Sequence, residues 1–221
     1  MLKNSFAIFV LLCAFLSATA KEKQPAVVEI TYANFSNGTI ENEPATHLKY
    51  AGGVLALNAE TDQIRAFTDF LRAENIDLII YEGKNYKLVT PFDSLPKPTF
   101  TEEKANILGY ECKHAFFTSF SNKIEVWYTE SAPAKGSPYK NYLPTKNALV
   151  LKVIVNGNYG LVATKIETLK KAKFPTLNSE NAEAITSAQF EELRIQSRYT
   201  TLPVFVDEKI NFEADLVEET G

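Results

Sequence analysis

The sequence predicts a mainly β (α+β) fold: a curved antiparallel sheet, bowl-like or open-barrel in shape, with one or two short helices. Three observations lead there. Apolar and polar residues alternate along short runs from Val28 to Ile166, the period of a half-buried strand. Asn/Gly-containing turns separate successive runs, at Asn37-Gly38, Glu82-Gly-Lys-Asn85 and Asn156-Gly-Asn158, which is hairpin punctuation. Only one segment, after Thr186, opens with a clear helix-start signature.

Val28–Phe35 alternates as V-E-I-T-Y-A-N-F and reads as the first strand, closed by Asn37-Gly38. Glu41–Pro44 reads as a loop, and His47–Leu57 as a strand pair or bent strand broken at Gly52-Gly53. Asp62–Asn75 is open to two readings. Ile64, Phe67, Phe70 and Leu71 fall at helical spacing with Thr61 as N-cap, and Phe67–Leu71 serves equally as a strand. Ile76–Tyr81 and Tyr86–Thr90 form a hairpin across Glu82–Asn85. Pro91, Pro96 and Pro98 then make an irregular connection, because proline cannot donate to a ladder.

Ile107–Phe117 and Lys123–Thr129 pair across Thr118–Asn122, and Ala148–Val155 pairs with Tyr159–Ile166 across Asn156–Asn158. On the Lys123–Thr129 strand, Ile124, Val126 and Tyr128 share one face and Trp127 takes the other. Thr186-Ser-Ala-Gln189 has the form of a capping box, with a helix following over Ala188–Ile195. Leu202–Val206 and Ile210–Phe212 look like a fresh strand start inside an acidic tail.

The first 20 residues read as a secretory signal peptide. Lys3 is the positive end, Phe6–Leu16 the apolar core, and Ser17-Ala-Thr-Ala20 the cleavage site. Leu12 precedes Cys13 where lipoprotein processing wants a small residue, so Cys13 is a leader hydrophobe rather than a lipid anchor. The expected organisation is therefore a leader at 1–20, a β-rich bowl-like domain at 21–200, and an acidic extension or further strand region at 201–221. The expected location is the periplasm, outer surface or extracellular space, with no transmembrane anchor after cleavage.

Loss of Lys3 with the leader leaves 22 basic against 27 acidic residues. Such a balance gives no electrostatic footprint for nucleic acid. The mature chain keeps one cysteine, Cys112, so it is not a disulfide-stapled scaffold.

Cys112 and His114 share a strand face, which a thiol–imidazole nucleophile would need. No third group orients the base, and a same-face pair on a strand is more often incidental. His47 and His114 are the only histidines, too few with one cysteine for a zinc site. Asp93, Glu102, Glu103 and Glu125 have no spacing that selects them for acid–base work and read as solvated surface. The sequence thus offers no catalytic residues, no metal ligands and no cofactor motif. It predicts a non-enzyme.

Ile107-Leu-Gly-Tyr-Glu-Cys-Lys-His-Ala115 resembles the I-x-G-Y-x-C-x-x-A strand of the GLPGLI family of exported Bacteroidetes proteins. Trp127-Tyr-Thr129 matches that family's W-Y-T, and Pro133, Gly136 and Pro138-Tyr139 resemble its Pro/Gly loop. Leu143-Pro144 with Leu149-Val-Leu151 resembles the element that names the family, with Tyr142 and Ala148 in place of its two glycines. This resemblance implies a curved antiparallel sheet related to lipoprotein-carrier folds, with no established activity. A second, weaker resemblance rests on Asn85–Asp93, the hairpins after it, and Phe205–Phe212. These look like the N-terminal bowl-like domain that precedes the catalytic part of some Bacteroidetes peptide-N-glycosidases.

Two functions follow as expectations. The first is a non-catalytic cell-envelope binding module for an apolar ligand, a glycan or an envelope protein. The alternative is the N-terminal accessory domain, or a remnant, of a peptide-N-glycosidase-type glycan-processing hydrolase. The candidate binding residues are Trp127, Tyr128, Pro133, Pro138 and Tyr139, the aromatic and Pro-rich positions of the central segment.

Overall fold

The structure, a computed structural model, describes residues 26–57, 62–170, 172–177 and 179–201. The leader, Thr61 and the strand start after Leu202 lie outside the described residues.

Twelve strands form one sheet: β1 Val27–Ser36, β2 Thr39–Ala51, β3 Val54–Ala56, β4 Ile64–Asp69, β5 Glu74–Tyr81, β6 Lys84–Pro91, β7 Thr99–Ile107, β8 Tyr110–Ser119, β9 Asn122–Thr129, β10 Leu149–Val155, β11 Tyr159–Leu169 and β12 Glu183–Ala184. A 3-10 turn, Phe92–Ser94, and one α-helix, α1 (Ser187–Thr201), complete the described elements. The order across the sheet is β12-β6-β5-β4-β3-β2-β1-β11-β10-β9-β8-β7. All neighbours are antiparallel except β12 on β6. The sheet is curved and does not close into a barrel. Register irregularities in β1, β7 and β10 are the local devices that add twist to such a sheet.

Four parts of the sequence reading need correction. Ile107–Phe117 is not one strand. Leu108 and Gly109 both have positive φ, 53° and 82°, the geometry of a two-residue hairpin turn, and β7 precedes it. β7 reads as T-F-T-E-E-K-A-N-I because it is the sheet's free edge. It has one neighbour and no buried residue, so no apolar periodicity marks it.

Glu41–Pro44 is not a loop but part of β2. Of β2, only Lys49–Ala51 pair with β3, so Pro44 lies where β2 has a free side and needs no donor there. The helical reading of Asp62–Asn75 is replaced by β4, a turn and the start of β5. Phe67 sits between Ala56 of β3 and Ile76 of β5. The Asp69 carboxylate then accepts the Leu71 and Arg72 amides at 2.9 and 3.0 Å, ending the strand. Lastly, two turns are tighter than expected. They use only Glu82-Gly83 and Phe120-Ser121, and the strands run correspondingly longer.

The β10–β11 hairpin and the capping box form as the sequence predicts. Thr186 Oγ1 accepts the Gln189 amide at 3.3 Å, and the Thr186 amide donates to Gln189 Oε1 at 2.9 Å.

Three clusters of buried side chains hold the sheet. The largest gathers Val28, Ile30 and Tyr32 of β1 with Leu48, Leu55, Leu149 and Leu151. The second joins Ala115, Phe117, Ile124, Val126 and Tyr128 to Leu143 and Ala148 of the long segment between β9 and β10. The third seats Phe190 of α1 on Ile64 and Ile79. The sheet and the crossing segment between β9 and β10 thus frame the clefts considered next.

Candidate functional site

β4 divides two clefts. Its alternate residues point to opposite faces: Arg65 and Phe67 line one cleft, Ile64 and Ala66 the other.

The first cleft has a volume of about 630 Å³ and is ringed by charge. Glu29 stands 3.8 Å from both the Lys49 ammonium and His47 Nδ1, and Thr31 Oγ1 is 3.2 Å from the same imidazole nitrogen. Asp62 and Arg65 lie at its exposed margin, over a floor of Ala56 and Phe67.

The second cleft, about 370 Å³, lies under the segment from Pro138 to Tyr142 and against Phe190 of α1. Tyr139, Tyr142 and Phe190 supply aromatic walls. Burial holds the Tyr139 hydroxyl above the ordinary tyrosine value. Asp77, the one charged residue of the apolar run Ile76–Tyr81, forms an ion pair with Lys140. Its strand neighbours are Ala66 and Leu88. The overlying segment is anchored. Asn75 Nδ2 donates to the Lys140 carbonyl at 3.2 Å, Ser137 Oγ to the Tyr139 carbonyl at 3.0 Å, and the Tyr142 amide to Tyr139 O at 2.8 Å.

The five candidate residues do not converge. Pro138 and Tyr139 line the aromatic cleft. Pro133 is exposed on the same crossing segment. Tyr128 is buried in the second core cluster. Trp127, half-buried, stacks on His114 at 4.5 Å between ring centres, and Lys152 Nζ lies 4.5 Å from its ring centre. The residues that complete the aromatic cleft, Asp77 and Phe190, were not singled out from the sequence. The available signal for Asp77 was a lone carboxylate within an apolar strand.

Cys112 and His114 engage different partners. Cys112 is fully buried, and its Sγ lies 3.6 Å from the Tyr110 carbonyl. Burial raises its thiol pKa, partly offset by a backbone hydrogen bond from Ile107. His114 Nδ1 lies 2.9 Å from Thr101 Oγ1. Its Nε2 makes no hydrogen bond and is 3.8 Å from Glu125. A buried thiol kept protonated is a poor nucleophile. Iodoacetamide at pH 8 should therefore leave the Cys112 peptide unmodified in the native protein and modify it fully in urea. Peptide mass mapping checks this, and rapid native labelling would count against a sealed thiol.

Among the described residues no group of three His, Cys, Asp or Glu side chains is placed to hold a metal ion. No helix among them is long and apolar enough to cross a membrane.

The family described as "N-glycanase peptide, N-terminal domain" matches residues 83–192. This stretch runs from the β5–β6 turn into α1 and contains the segment over the aromatic cleft. Among solved structures, PNGF-II in a C2 space group is similar over 78% of this chain and 33% of its own, at 23% identity and a TM-score of 0.64. PNGF-II in a P21 space group is similar over 78% and 34%, at 24% identity and a TM-score of 0.63. These likenesses establish the shared fold. The chain spans about a third of the length of the solved structures it matches. No curated protein matches the sequence.

Proposed function

We propose that this chain is a non-catalytic accessory domain of a glycan-processing hydrolase of the peptide-N-glycosidase kind, exported through the leader at 1–20, and that it holds N-glycosylated protein. The match of residues 83–192 to the N-terminal domain of N-glycanases carries the reading. The second of the two resemblances in the sequence points the same way. A sheet domain spanning a third of PNGF-II supports a supporting role beside a catalytic portion. The buried, protonated Cys112 supports the non-catalytic part. The aromatic cleft, with a polar pair beside apolar and aromatic walls, is suited to hold a ligand without transforming it.

The test passes the purified chain over an immobilised N-glycoprotein and over the same protein after enzymatic removal of its glycans. Retention on the first alone is the expected result, with no glycan released on prolonged incubation, as followed by mass. Equal retention on both, retention on neither, or turnover would overturn the proposal.

A further inference from the structure

We infer that the aromatic cleft beneath the Pro138–Tyr142 segment is a seat for a neutral pyranose ring, an inference that rests on the glycan-holding reading above. The cleft's volume of about 370 Å³ lies within the range of small-ligand sites. Its chemistry has two parts. Tyr139, Tyr142 and Phe190 offer ring surfaces, whose negative faces attract weakly positive C–H groups. The ion pair of Asp77 and Lys140 lines the same cleft.

That pair neutralises itself, so the cleft has no net charge from it with which to recruit an anion or a cation. It still has hydrogen-bonding capacity. A carboxylate offers about four lone-pair sites and an ammonium three donors, and their mutual bond uses one of each. An acceptor beside a donor matches two neighbouring hydroxyls, one donating to Asp77 and the other accepting from Lys140. A neutral pyranose has these features: an apolar C–H face, vicinal hydroxyls along its edge and no charge.

The charged cleft on the opposite face differs. Arg65 makes no ion pair among the described residues, and a free guanidinium suits a carboxylate or phosphate better. The aromatic cleft is also preorganised. Asn75 and Ser137 hold the backbone of Tyr139 and Lys140, so little ordering remains to oppose binding.

The experiment titrates the full chain with three probes: a free neutral N-glycan, the same glycan on its peptide, and the peptide alone. Binding is read by calorimetry for wild type, Tyr139→Ala, Tyr139→Phe, Asp77→Asn and, in the opposite cleft, Arg65→Ala. Thermal melting confirms that each variant folds, and Asp77→Asn, nearly isosteric, serves if Tyr139→Ala does not.

The wild type should bind the two glycan-bearing probes and not the bare peptide. Tyr139→Ala and Asp77→Asn should weaken binding at least tenfold, while Tyr139→Phe and Arg65→Ala stay within about threefold. Glycan binding that survives Tyr139→Ala and Asp77→Asn, or that falls with Arg65→Ala instead, would overturn the seat and leave the accessory reading standing. Equal binding of glycopeptide and bare peptide would overturn the seat as well. Failure of the wild type to bind any probe, with no retention on the immobilised glycoprotein, would overturn both.

Discussion

Tyr32→Ala should lower the stability of this protein by roughly 4–8 kcal/mol. That adds a deleted core aromatic to an orphaned buried carbonyl. Tyr32 is fully buried in the largest core cluster, and its hydroxyl donates to the Val150 carbonyl at 2.7 Å. The bond ties β1 to β10, two strands apart in the sheet, at the place where the β9–β10 register is irregular. Tyr32→Phe isolates the hydroxyl and should cost about 1–3 kcal/mol, the price of leaving that carbonyl unpaired.

Burial also raises the Tyr32 pKa far above the ordinary tyrosine range. The native state keeps this proton where the unfolded chain, titrating near ~10, releases it. The contribution is complete below that value and is lost as pH rises beyond it. Urea unfolding between pH 7 and 10.5 should therefore show a smaller alkaline decline for Tyr32→Phe than for wild type. A phenylalanine variant matching wild type at every pH would mean that the buried bond contributes nothing.

The sheet was legible wherever apolar side chains recur at every second residue. Val28, Ile30 and Tyr32 of β1 do so because they pack into the largest core cluster, with Glu29, Thr31 and Ala33 between them, and the core face of β9 was visible in Ile124, Val126 and Tyr128. Elements without that pattern were not legible. β7 is an edge strand with no buried residue. The first half of β2 is exposed from Thr39 to Thr46 apart from Thr46's partial cover. In β4 the apolar residues also fit a helical period, and what decides for a strand is pairing with β3 and β5, which no local window contains.

The site follows the same division. Pro138 and Tyr139 stood out as turn and aromatic residues of one unusual segment. Asp77 lies 63 residues from Lys140 in sequence, and Phe190 belongs to a helix recognised only by its cap. Their meeting is a property of the topology, since the crossing segment returns over β4 and β5 after the four intervening strands β6 to β9. Trp127 and Tyr128 are both candidates as aromatic residues of the central segment, although the sequence already places them on opposite faces of one strand. Adjacency in a strand sends side chains to opposite faces, so one packs in the core and the other stacks on His114.

Gly160→Ala should be the most damaging single-methyl substitution in the β10–β11 hairpin. Gly160 is buried in β11 between Phe35 of β1 and Ile154 of β10. A Cβ there would drive into the carbonyl oxygen of Val153 and come within 3.0 Å of the Ile154 Cα. Both obstacles are backbone of a strand paired on each side, so neither can turn away as a side chain does. The cost should reach or exceed the upper end of the ~1–3 kcal/mol typical of overpacking.

Gly157→Ala, three residues earlier in the same hairpin, separates this clash from backbone strain. Nothing lies within 4 Å of its added methyl, but its φ of 73° disfavours an L side chain, which costs roughly 1–2 kcal/mol. Urea unfolding of the two variants should rank Gly160→Ala well below Gly157→Ala. The reverse order, or a near-wild-type Gly160→Ala, would show that β11 can shift against β10 at little cost. The close approach at Gly160 would then not be what fixes the centre of the sheet.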